Sequence, residues 1–282
     1  MSYLRRASPL HAARASVGAA YCGALVLAAL VVSHPLVLGV LALAVLGAGI
    51  GAGVGGRVAR SLYLSLPMAV AIVLVNALVS RGGLTVIARL GDAGPFGQLD
   101  ITVEAVAYGA KAGLVLIVIV AGAALASACI DPDELLRSLR RVSFRSALTA
   151  TIATRMVPLL ALDARRIGEA QRCRPHPGGR LAVMRAITAN VLDRSLDIAA
   201  TLEVRGYGSA RRPARVRRPW SRHDLAFAAS AVALVVLALA VPAPFSFYPA
   251  IRGSAGASTL VLAGALAAAV LAPFAQRRGI VR

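Results

Sequence analysis

Six long apolar runs, near 17–33, 35–54, 62–79, 103–129, 225–241 and 258–274, constrain this chain more than any other feature. A helix needs about 20 mostly apolar residues to cross the hydrocarbon core of a bilayer. Inside lipid, every backbone polar group must also be satisfied within the segment. The runs therefore predict an all-α, polytopic membrane protein with about six transmembrane helices. The first run is short and follows Arg5, Arg6 and Arg14, the order found in a signal peptide. A second run follows almost at once, and His34-Pro35 is a poor cleavage site, so a hairpin of two spans is the better reading.

Charge orients the spans. The chain carries 31 basic and 12 acidic residues, for a net charge of +19. Lys111 is the only lysine, and no acid precedes Asp92. Positive residues stay on the cytoplasmic side of short loops. That rule puts both termini inside and makes Ser33–His34, 80–102 and 242–257 outer loops of a multi-pass protein of the cell inner membrane. It also puts the 131–223 segment, with 19 arginines and 8 acids, in the cytoplasm. The expected organisation is spans one to four over 1–130, a cytoplasmic domain over 131–223, and spans five and six over 224–282.

The cytoplasmic segment has helical punctuation. Asp131 is a good N-cap, Pro132 suits the first helical position, and Asp133 and Glu134 suit the first turn. Leu135, Leu136 and Leu139 then form one stripe of a short amphipathic helix, which would lie on the membrane or on a partner. A longer helix is expected from about 146 to 174, kinked at Pro158. Its stripe of Leu160, Ala164, Ile167, Gln171 and Arg174 follows spacings of four and three. A further helix runs from about 181 to 205 and stops at Gly206 and Gly208.

Several motifs lose on context. Gly51, Gly53 and Gly56 match a dinucleotide fingerprint, yet no strand precedes them. Gly47, Gly51 and Gly55 instead form a small-residue face for close helix packing. Lys111 follows Ala110 inside a span, so the chain has no Walker A loop, and any ATP that drives it is held by another subunit. Lys111 itself reads as a snorkelling or locally paired charge, with Glu104 seven residues earlier, and Asn76 as an interhelical hydrogen bond. Cys22, Cys129 and Cys173, like the four histidines, lack metal-ligand spacing. No cluster of acids or histidines points to a catalytic residue, and the acids among the arginines argue against a polycation for nucleic acid.

Two helix ends remain, Ala170-Gln171-Arg172-Cys173-Arg174-Pro175 and Leu202-Glu203-Val204-Arg205-Gly206-Tyr207-Gly208. An arginine in a last helical turn is ordinarily a partner for the helix dipole. Two such ends about 31 residues apart in one cytoplasmic segment resemble the paired Ala-Arg-Gly motifs of the transmembrane (T) component of energy-coupling factor (ECF) transporters, including the cobalt-importer type. The second end is the closer match, with Val204 in place of alanine; in the first, Cys173 and Pro175 replace the small residue and the glycine. Pro132-Asp133-Glu134-Leu135, and the step from Arg155 to Pro158, also resemble the family, and the resemblance covers about 102–208.

The resemblance implies a non-enzymatic scaffold that binds no cofactor, with ATP held by its partners. Arg174 and Arg205, flanked by Cys173, Val204 and Gly206, would each enter a groove on one of two ABC ATPase subunits. The apolar side of the coupling helices would grip a separate substrate-binding membrane subunit for a vitamin or a transition metal. The competing reading is a permease of another ABC importer class with its own substrate path, for which only Lys111, Glu104 and Asn76 are available. A lipid-phosphate enzyme and a lipid- or nucleic-acid-binding basic loop fit the residues less well.

Overall fold

A computed structural model describes residues 6–80, 83–92, 98–139, 144–173, 175, 179–207, 219–240, 245–250 and 256–275. The chain forms two compact units, one from Met1–Leu135 with Trp220–Arg282 and the other from Leu136–Pro219. The first holds α1 (Pro9–Ala12), α2 (Ala15–Val31), α3 (Pro35–Gly51), α4 (Gly55–Val79), α5 (Val103–Cys129), α9 (Arg222–Ala240) and α10 (Ala257–Ala275). α6 (Pro132–Leu139) contains the boundary, and the second unit holds α7 (Phe144–Arg172) and α8 (Arg180–Val204).

The chain is all-α in class, as its apolar runs require. Among the described residues, four helices, α4, α5, α9 and α10, are long and apolar enough to cross a membrane. α2 and α3 are apolar but only 17 residues each. Between them, the His34 side chain accepts from the Leu36 amide at 3.3 Å, and Pro35 starts α3. One element departs from the helical pattern. Part of the expected outer loop is an antiparallel hairpin of β1 (Val86–Asp92) and β2 (Gln98–Thr102). Its strands are short, and their alternation was hidden among the loop's glycines.

Small residues set the helix spacing. A Cβ on Gly109 of α5 would stand 2.8 Å from the Val73 Cα of α4, and one on Gly113 would stand 3.3 Å from the Ala69 carbonyl oxygen. The expected glycine face on α3 is used in part. Gly47 and Gly51 lie against Leu271 and Phe274 of α10, whereas Gly55 closes on Ile50 at the turn into α4. Asn76 departs from expectation. Its side-chain amide donates to the Ile72 carbonyl of its own helix, one turn back, at 2.9 Å. Glu104 is buried and accepts from the Thr85 amide and hydroxyl, the hydroxyl at 2.9 Å. Lys111 instead has its ammonium 6.0 Å from the Tyr108 ring centre.

Several polar groups inside this unit are paired across helices. Pro273 cannot donate to the carbonyl of Ala269 one turn earlier. The Ser230 hydroxyl of α9 donates to that carbonyl instead. The buried Tyr21 hydroxyl donates to the Val270 carbonyl at 2.8 Å, and its ring meets Phe227 and Phe274 edge-on at 5.1 and 6.4 Å. Asp224 serves two helix starts. It forms a reciprocal capping box with Ser221, its amide donating to the Ser221 hydroxyl at 3.1 Å and its carboxylate accepting from the Ser221 amide at 2.9 Å. The same carboxylate accepts from the Arg14 amide at 2.7 Å and pairs with the Arg14 guanidinium at 3.2 Å.

Two outcomes follow from this packing. Gly109→Ala should lower stability by about 1–3 kcal/mol, because backbone rather than a side-chain tip stands in the way. Gly264→Ala, whose Cβ would meet nothing within 4 Å, should not. Asp224→Ala should cost about 2–3 kcal/mol, since it removes charge-assisted bonds to two helix starts and to Arg14, against about 1 kcal/mol for Ser221→Ala, which removes only a cap. Thermal unfolding of the detergent-solubilised chain measures both comparisons.

Candidate functional site

The second unit is built differently. α6 begins as expected, with the Asp131 carboxylate accepting from the Asp133 amide at 2.9 Å and the Asp131 carbonyl accepting from the Leu135 amide at 3.0 Å. α7 and α8 are long, with Pro158 inside α7, yet α8 has no buried residue over its 25 positions. Their sides toward cover are only half-buried. In α7 these include Leu160, Asp163, Ala164, Ile167 and Gln171, the spacing of one helical face.

The two candidate tips are the ends of these helices. At the second tip, α8 ends at Val204 with Arg205 as its C-cap. Gly206 has φ +75°, the left-handed region that costs an L side chain steric strain. The Gly206 amide donates to the Glu203 carbonyl at 2.8 Å, and the Tyr207 amide donates to the Leu202 carbonyl at 2.8 Å. This pair of bonds is a Schellman turn, which satisfies the last carbonyls of a helix. Val204, Arg205 and Gly206 are all exposed, Val204 at 89%. The turn thus holds an exposed guanidinium at the negative end of a helix dipole, where a cation is favoured.

The first tip is made otherwise. α7 ends at Arg172, one residue earlier relative to its motif than α8 does. The Cys173 amide donates to the Glu169 carbonyl at 3.2 Å, and Cys173 and Pro175 are exposed. Proline has no amide hydrogen, so a Schellman bond from position 175 cannot form. Arg174 lies outside the described residues.

Residues overlooked in the sequence join the two helices. The Arg194 guanidinium of α8 pairs with the Asp163 carboxylate of α7 at 2.7 Å, and the Asn190 amide donates to the same oxygen at 3.3 Å. Asn190 and Arg194 are one turn apart and so share a face. A signal for the pair existed: Asp163 and Arg194 are 31 residues apart, the interval that also separates Arg174 and Arg205. Among the described residues, no group of three or more histidines, cysteines or acids is placed to hold a metal ion.

The Schellman turn makes a local prediction. Gly206→Ala should raise the strain at the tip by about 1 kcal/mol and speed hydrogen exchange at the Tyr207 amide about fivefold. Exchange read by mass spectrometry on the full chain in detergent checks it, with amides in the middle of α8 as the unchanged reference.

A search of curated proteins finds no match. Among protein families, the CbiQ family, described as cobalt transport protein, matches residues 6–216, well over half of the chain and inclusive of both helix tips. The chain therefore belongs to the CbiQ cobalt transport protein family, the T-component family of ECF transporters, and is a multi-pass membrane protein.

Proposed function

We propose that the chain is the transmembrane scaffold of an ECF-type importer. In this reading it links ATP hydrolysis by two separate ABC ATPase subunits to movement of a substrate-binding membrane subunit. The observation that carries the reading is the second tip, an arginine presented by a Schellman turn in a member of this family. A guanidinium forms charge-assisted, often bidentate bonds to carboxylate or carbonyl oxygens, and such bonds are directional enough to transmit a movement. Arg205 would enter a groove on one ATPase with Val204 and Gly206 at its rim, and Arg174 with Cys173 would do the same on the other.

The 131–223 segment and both termini would face the cytoplasm, where the ATPases are. ATP stays on those subunits, and the chain itself needs no cofactor. The cargo, a cobalt ion, another transition metal or a vitamin, is chosen by the substrate-binding subunit. The rival reading needs a substrate path through this chain. It is not favoured, because Glu104 is engaged by Thr85, Asn76 by Ile72, and Lys111 stands beside Tyr108.

Arg174→Ala combined with Arg205→Ala should abolish co-purification of the ATPase pair while membrane insertion is retained. Undiminished ATPase recovery in a detergent pull-down sinks the scaffold reading. Singly, Arg205→Ala should be the more damaging, because the first tip carries the altered motif. Equal losses in ATP-driven uptake count against that ranking.

A further inference from the structure

The two tips are the ends of two matching arms. Leu160, Asp163, Ile167 and Gln171 in α7 are half-buried, and so are Val191, Arg194, Ile198 and Leu202 in α8, each 31 residues on. Arg174 and Arg205 extend the same correspondence. Within it, Asp163 and Arg194 are equivalent positions, and these two are the ones joined by an ion pair, at 2.7 Å. From each of them, the motif arginine lies eleven residues further along the chain. At the helical rise that is about 16 Å along α8 from Arg194 to Arg205.

We propose that the Asp163–Arg194 pair, steadied by Asn190, is the pivot of the coupling device: it holds α7 and α8 in register and so sets how far the Arg205 tip stands from the end of α7. The proposal rests on the scaffold reading, in which the tips engage two ATPases. Its physical basis is the thin packing of the arms. α8 has no buried residue, so apolar interlocking does not fix how α7 and α8 slide or turn against each other. A directional ion pair with side chains 20% and 36% exposed supplies the missing register. Its energy is modest, as for other pairs near a surface, so the pair can also yield when the tips are driven. Asp163, Asn190 and Arg194 are positioning residues, and the arginine tips do the binding.

The test is a distance between spin labels on the full chain in lipid nanodiscs. Cys173 is exposed while Cys22 and Cys129 are buried, so one label goes on the natural Cys173. The second goes on Val204→Cys at the other tip. The parent chain should give one narrow tip-to-tip distribution. Asp163→Ala and Arg194→Ala should each broaden or shift it, and Asp163→Arg with Arg194→Asp should restore it. Loss of helix packing alone would not be rescued by exchanging the charges.

In the complete transporter, Asp163→Ala should raise the ATP hydrolysed per cargo molecule taken up by about fivefold, the factor that an interaction of about 1 kcal/mol holds in an equilibrium. A distribution unchanged in both single variants, or one that the charge exchange fails to restore, overturns the pivot. If the Arg174→Ala, Arg205→Ala double variant still abolishes ATPase recovery, the scaffold reading survives that failure. A distribution that responds as stated beside undiminished ATPase recovery in the Arg174→Ala, Arg205→Ala double variant refutes the scaffold reading, and with it the purpose assigned to the pivot.

Discussion

Helices in lipid gain nothing by hiding apolar surface from an apolar solvent, so the membrane unit depends on close contact between its helices. Gly109 lets α5 approach the backbone of α4, and Gly47 and Gly51 admit Leu271 and Phe274 of α10. Close approach also brings the polar groups of one helix within reach of another. Ser230 donates to the carbonyl that Pro273 leaves open, Tyr21 reaches Val270, and Asp224 closes the starts of α2 and α9 together. A single carboxylate can do this because its two oxygens offer about four acceptor positions, and backbone amides and a guanidinium occupy them.

The coupling unit rests on other forces. α8 has no buried residue, and its end is shaped by local bonds. A Schellman turn needs nothing from the rest of the protein, so the geometry around Arg205 travels with the helix that carries it. The link between the arms is electrostatic and partly exposed. Modest, directional interactions suit a part that must change shape during a transport cycle, whereas the interlocked glycine contacts of the membrane unit suit one that resists such change.

The helical architecture was legible because apolar run length speaks directly to the thickness of a bilayer. α7 and α8 were legible within two residues at each end, because Pro175, Gly178, Gly179 and Gly206 punctuate them. The hairpin of β1 and β2 was not, since short paired strands are decided by the chain that closes them rather than by their own composition. Asn76 was assigned to a neighbouring helix because spacing along a sequence cannot rank a carbonyl one turn back against one across an interface. Asp224 looked like part of an ordinary helix start, and its partner Arg14 lies 210 residues away, beyond the reach of any local pattern. Asp163 and Arg194 were passed over for the opposite reason: each resembles the many solvated charges around it, and only their shared interval with the tips sets them apart.

The arrangement of the membrane unit bears on how the protein is made. Arg14 meets its carboxylate 210 residues later, and Tyr21 its carbonyl 249 residues later. At about 5–20 residues per second, the ribosome needs roughly 10–40 s to deliver Asp224 after Arg14. Both coupling tips are synthesised before that interval ends, while the first membrane helix still lacks the groups that fasten it. A chain cut short before Asp224 therefore carries the whole coupling unit on an unfinished body. Such a product keeps the parts assigned to gripping partners and lacks those that hold the membrane helices together.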